Sequence, residues 1–341
     1  MKTNPHGTWL DISRKRLRLT WISGLVLLGM LVALVLHLGD ERRFVELLYQ
    51  AKPAWLLVAV VLQGGTYACA AAIWHRALVR TGCHQSLIFL MGLGVAKLFI
   101  DQVLPSAGIG GSLLVVDALQ RRGVPSAATM VAILVDLVAY YVGFAALLAI
   151  SLGLLWYHHD LNITILIMAG VFAVIALTIA GAIYWFSQHD KYPPPGWLRR
   201  LPILRPFFDT LVTIPTHLLR DRMLLSQLLL LNVGIFVLDA ATLLVMLYTM
   251  GQPASPQSAF TSFMIASLAA TVGLVPGGLG PFEGAMVAML TLFNVPLEPA
   301  LAATFLLRGF TFWLPMVPGF WFTYRTVASR SGIVSDQDPT A

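Results

Sequence analysis

Charge is what this sequence has least of. Only 11% of its residues are Asp, Glu, Lys or Arg, while 58% are hydrophobic, and a soluble domain would need roughly a quarter of its residues charged. A soluble globular protein is therefore excluded, and an integral membrane protein is expected. Cysteine is almost absent: Cys69 lies in an apolar run and Cys83 in a basic loop, a pair that makes neither a metal spacing nor a disulfide framework. The chain also lacks a phosphate-binding loop, a dinucleotide fingerprint and a metal-ligand cluster, so no cofactor is expected. "GIGGS" places Ser112 after glycines, but His37, His75, His84, His158, His159, His189 and His217 all fall at helix ends or in loops. No histidine at membrane depth could serve as that serine's base.

What is present is a series of long apolar runs. Crossing about 30 Å of hydrocarbon takes about twenty residues, and runs of that length occupy 19–38, 54–78, 126–154, 161–186, 223–250 and 300–324. Two further runs, 87–116 and 258–293, are broken in the middle by "VLPSAGIGGS" and "LVPGGLGPFE". A proline and glycine cluster strips several backbone hydrogen bonds at once. Each broken run therefore reads as a helical hairpin that enters and leaves on one side. The expected fold class is all-α: a polytopic bundle of six spanning helices and two re-entrant hairpins.

The net charge of +6 sits beside apolar runs, as topology signals do, and gives no reason to expect nucleic acid. Five Lys and Arg precede the first run, six lie in 187–222 and two follow the last run, while 155–160 and 251–257 have none. The positive-inside rule then puts both termini and the long loop in the cytoplasm of a bacterial inner membrane. Residues 1–18 read as a basic tail, 19–325 as one transmembrane domain, and 326–341 as a disordered tail. Within 187–222, a turn leads into a basic amphipathic stretch expected to lie along the inner membrane surface. The first run, 19–38, is read as a retained helix, because no cleavage site follows it.

The broken runs are also similar to one another. "VLPSAGIGGSLLVVDALQRRGVP" and "LVPGGLGPFEGAMVAMLTLFNVP" align without gaps, with Pro105 on Pro276 and Pro125 on Pro296 at one constant shift. Repeat A covers about 87–154 and repeat B about 258–324. Three crossings separate them, so the repeats are expected to be inverted, with glycine-rich tips meeting near the midplane, as in many transporters. Free amides at such tips would suit an anionic group, such as a lipid phosphate.

Six ionisable residues fall inside apolar runs: Lys97, Asp101, Asp136, Asp239, Glu283 and Arg308. Left facing lipid they would cost about 15 to 20 kcal/mol together, so they are expected to face one another or water. Lys97 and Asp101 are four apart and can pair on one helix face. Asp239 has no counterpart in the other repeat and ranks last.

At "VLPSAGIGGS", "LVPGGLGPFEGA" and "ATFLLRGFTFWLPMVPG" the chain resembles the lysylphosphatidylglycerol synthase transmembrane family, also called the flippase-like domain family. The resemblance spans about 19–325. It implies that Pro276, Gly277, Gly278, Gly280, Glu283 and Arg308 are the matching positions, with Asp101, Pro105, Gly108 and Gly110 in the first repeat. In two-domain members this region is associated with moving aminoacylated phospholipid between leaflets, while a soluble domain performs the aminoacyl transfer. No room for that soluble domain is expected here.

The function expected is thus a lipid translocase or lipid-transport accessory, not an enzyme. Its groove would be lined by Lys97, Asp101, Asp136, Glu283 and Arg308, and its cargo would be a lipid with a polar, possibly anionic, headgroup. A non-transporting partner of a lipid- or glycan-modifying enzyme is the alternative. A lipid-modifying enzyme using Asp136 or Glu283 is another.

Overall fold

The computed structural model describes residues 53–103, 109–157, 162–186, 221–273 and 275–322. The first apolar run, nearly all of loop 187–222, the C-terminal tail, and Pro105 and Gly108 lie outside them. Among the described residues the chain is entirely helical, without a strand: α1 (Pro53–Arg80), α2 (Leu87–Val103), α3 (Ile109–Gln120), α4 (Ser126–Tyr157), α5 (Ile163–Phe186), α6 (Arg222–Thr249), α7 (Pro256–Val272), α8 (Pro281–Leu292) and α9 (Leu297–Arg308). A short 3-10 turn, Pro276–Gly278, joins α7 to α8, and a π-helical turn, Gly309–Trp313, carries α9 onward to Phe322.

The helix starts follow from local chemistry. Pro256 and Pro281 stand in the first turns of α7 and α8, where a missing N–H costs nothing. Asp221 caps α6 by accepting from the amides of Met223 and Leu224, and it also lies 3.4 Å from Arg80. That contact ties the end of α1 to the start of α6, and these two helices make the most extensive contact in the fold.

Among the described residues, four helices are long and apolar enough to cross a membrane: 54–80, 126–157, 222–249 and 297–322. They present Val61, Leu230 and Val317 at 71–75% exposure, which only lipid or another apolar surface would tolerate in such density. The broken runs form two shorter pairs, α2 with α3 and α7 with α8. Both have a first arm of 17 residues and a second of 12, or about 25 and 18 Å at 1.5 Å per residue. The helices that follow them, α4 and α9, begin at Ser126 and Leu297, separated by the same shift as Pro105 and Pro276. The turn at the tip of the second pair packs against α2.

The apolar core is divided. One cluster gathers the first halves of α4 and α6 with the end of α1 and the α2–α3 pair. The other gathers the second halves of α4 and α6 with α7, α8 and α9. Polar residues of α1, α4 and α6 sit near the level where one cluster gives way to the other.

Candidate functional site

At that level a cavity of about 260 Å3 lies between α1, α2, α4, α6 and the π-helical turn. Each helix offers residues at helical spacing, so one face of each looks inward. From α1 come Gln63, Thr66 and Tyr67, with Ile73 and Trp74 beyond them; from α2, Gly94 and Lys97; from α4, Asp136 and Tyr140; from α6, Asn232 and Asp239; and from the π-helical turn, Thr311. A cavity of this volume has room for several water molecules.

The polar groups form three networks. Lys97 Nζ lies 2.7 Å from Asp101 Oδ2, and Asp101 Oδ1 accepts from the Gly111 amide at 3.0 Å. This carboxylate therefore reaches from the first arm of the hairpin to the start of the second. Asn232 Nδ2 donates to Asp136 Oδ1 at 3.2 Å and to the Leu228 carbonyl at 3.1 Å. Asp239 Oδ1 accepts from Gln63 Nε2 at 2.9 Å and Thr66 Oγ1 at 3.4 Å. Among the described residues neither Asp136 nor Asp239 has a cation within ion-pair distance, although Lys97 shares their cavity.

Glu283 and Arg308 are a separate unit. Arg308 Nε donates to Glu283 Oε1 at 2.5 Å, and its Nη2 donates to the carbonyls of Gly277 at 3.1 Å and Gly278 at 3.3 Å. Glu283 Oε2 accepts from the Gly280 amide at 2.6 Å, which caps the start of α8 from its own first turn. The guanidinium stacks 4.0 Å from the Phe282 ring centroid and 5.5 Å from that of Phe312. Both side chains are largely withdrawn from water, at 11% and 5% exposure.

The turn that receives the arginine depends on glycine. Gly277 and Gly278 have φ of +64° and +66°, a region costly for any residue with a Cβ. A Cβ on Gly277 would strike the Phe312 ring, and one on Gly278 would come within 2.6 Å of the Ala270 Cβ.

Of the residues singled out from sequence, Lys97 and Asp136 line the cavity, and Asp101 holds Lys97 from beside it. Gly277, Gly278, Gly280, Glu283 and Arg308 meet in the second unit, in the segment that begins with Pro276. Gly110 is the second residue of α3, and Pro105 and Gly108 are outside the described residues. Two amides at the tips take protein carboxylates as acceptors, Asp101 at Gly111 and Glu283 at Gly280, and the Gly278 amide takes the Val275 carbonyl. Asp239, ranked last for want of a repeat counterpart, faces the cavity with Gln63, Thr66, Tyr67, Tyr140 and Asn232. Asn232 and Asp239 are seven apart, two turns up one face of α6, and that spacing was the available signal. Among the described residues no group of three or more His, Cys, Asp or Glu could hold a metal ion.

No curated protein matches the chain. A protein-family model described as the lysylphosphatidylglycerol synthase TM region matches residues 21–319. With most of its length covered by that match, the chain belongs to the lysylphosphatidylglycerol synthase transmembrane-region family, a family of membrane domains.

Proposed function

We propose that this protein moves a membrane lipid with a compact polar headgroup between the leaflets of a bacterial inner membrane. One observation carries the reading: a cavity lies among helices whose outer faces are apolar, and among its largely apolar lining stand Lys97, Asp136, Asn232 and Asp239. Charged groups at membrane depth are costly unless paired or wetted. Asp136, with one amide hydrogen bond at 3.2 Å among the described residues, is left able to bind a ligand. A headgroup passing through would exchange water for these groups while its acyl chains stay in lipid. Leaflet exchange needs no covalent chemistry, in keeping with a site built of amines, amides and carboxylates.

Two features support an inverted-repeat mechanism. The hairpins share arm lengths of 17 and 12 residues, too short for full crossings at about 25 and 18 Å, and the tip of one packs against the first arm of the other. In this reading the hairpins enter from opposite faces and both termini are cytoplasmic. The Glu283–Arg308 unit then fixes the second tip against α9, so that the tip and the π-helical turn, which reaches the cavity through Thr311, move together.

The test is leaflet exchange in proteoliposomes carrying a trace of fluorescent phospholipid, read by its bleaching from outside. Purified wild-type protein should accelerate exchange over protein-free vesicles, and Lys97→Met or Asp136→Leu should remove most of the acceleration without loss of folded protein. Absence of exchange by folded wild-type protein, across anionic and zwitterionic lipids, would favour a non-transporting partner of a lipid-modifying enzyme. Appearance of a new lipid species would favour an enzyme.

A further inference from the structure

Net movement of a lipid toward one leaflet needs a source of direction, and the cavity contains one acid built unlike the others. Asp239 and Arg222 are the only charged residues of α6, and Arg222 stands at its first position. The Asp239 carboxylate is held in place, with both of its described hydrogen bonds on Oδ1. Gln63, 3% exposed, gives one amide hydrogen to that oxygen and the other to Thr242 Oγ1 at 3.2 Å. Thr242 in turn donates to the Leu238 carbonyl at 2.8 Å. With both hydrogens of the amide in use, Gln63 is fixed, and it fixes Oδ1.

Oδ2 receives no described hydrogen bond. Tyr67 lines the same cavity, and its hydroxyl oxygen is fully buried and without a partner among the described residues. The polar and titratable groups that line the cavity with Asp239 come from every neighbouring element: Tyr67 with neutral Gln63 and Thr66 on α1, Lys97 on α2, Asp136 and Tyr140 on α4, and Thr311 on the π-helical turn. Lys97 is the one cation in this set, and its described ion pair is with Asp101. The cavity therefore has more carboxylates than cations, and its charge can be balanced by a proton.

We propose that Asp239 is a proton-carrying residue that couples the cavity to the transmembrane proton gradient. Oδ2 takes a proton from hydronium in the cavity water, one O–H bond of the hydronium breaking as that of the carboxylic acid forms, and the reverse transfer later returns the proton to water. The Tyr67 hydroxyl, unpartnered among the described residues, is a group that a cavity water can link to Oδ2 in either state, because a phenol both donates and accepts. Gln63 and Thr66 donate to Oδ1 in both states, so the proton goes to Oδ2. The coupling rests on the translocase reading above, whereas the proton site does not.

Two measurements on the full-length protein separate these. Infrared difference spectra of reconstituted protein should show a protonated-carboxyl stretch that grows as pH falls. This band should vanish in Asp239→Asn, persist in Asp239→Glu, and shift in Tyr67→Phe. In proteoliposomes, wild-type exchange should change about tenfold per pH unit on the limiting side of a one-proton titration and respond to an imposed pH gradient. Asp239→Asn should lose both responses, whereas Asp117→Asn, at the exposed Arg121 pair, should keep them. No Asp239-dependent band overturns the proton site. Exchange that ignores the gradient, or a gradient response surviving in Asp239→Asn, overturns the coupling. A titrating band without any lipid exchange supports the proton site and removes the translocase reading alone.

Discussion

Arg308→Ala should be among the most destabilising single substitutions in the described part of the chain. The arginine is 11% exposed and its partner Glu283 5%. Removing one member of such a pair strands the other charge, at a cost of about 3–5 kcal/mol. The loss of its hydrogen bonds to the Gly277 and Gly278 carbonyls and of its stacking on Phe282 pushes the value toward the upper end. Replacing both partners by leucine should cost less than the sum of the single changes, by about 2 kcal/mol, because no charge is then left buried. It should still cost about 1 kcal/mol for the lost cap on the Gly280 amide. The assay is equilibrium unfolding in mixed micelles with increasing SDS, followed by helix signal, across the complete double-mutant cycle. A cost for Arg308→Ala below about 1 kcal/mol, or strict additivity of the pair, would refute a dry, mutually dependent ion pair.

Other substitutions probe the remaining parts. Gly278→Ala meets both a positive φ of +66° and the Ala270 methyl at 2.6 Å, so the same unfolding assay should show a loss of about 1–3 kcal/mol. At Gly111 a Cβ would strike the Asp101 carboxylate, so Gly111→Ala should displace Asp101 from Lys97 and reduce lipid exchange more than it reduces stability. Asn232→Leu removes the described hydrogen-bond donor to Asp136. It should impair exchange, while Ser226→Ala, whose hydroxyl bonds only its own helix carbonyl at Met223, should leave exchange unchanged.

The backbone was legible where single residues punctuate it. Pro125 and Pro296 precede α4 and α9, and Ser255–Pro256 opens α7, because proline and a capping hydroxyl act locally. The breaks at "VLPSAGIGGS" and "LVPGGLGPFE" were visible for the same reason. The partnership of Glu283 with Arg308 spans 25 residues; sequence identified both as costly charges but could not pair them, since pairing requires the turn at Gly277 to deliver its carbonyls to α9. Asp239 was discounted by a symmetry argument, yet its neighbours Gln63 and Thr66 come from a helix outside both repeats. Neutral polar residues such as Gln63 and Asn232 carry little signal within an apolar run, because their value appears only when another helix faces them. The π-helical turn after Arg308 had no sequence signature beyond Gly309.

In the translocase reading, water reaches the cavity that holds Lys97, Asp136 and Asp239 inside an apolar bundle. The most direct measurement is thiol accessibility at Gly94, which lines the cavity and has no atom within 4 Å of the position its Cβ would take. In a background with Cys69 and Cys83 replaced by alanine, Gly94→Cys should react with a small hydrophilic thiol reagent in reconstituted membranes, while Val61→Cys on the 73% exposed apolar face should not. An unreactive Gly94→Cys in folded protein, or equal labelling at both positions, would contradict a wet cavity at membrane depth.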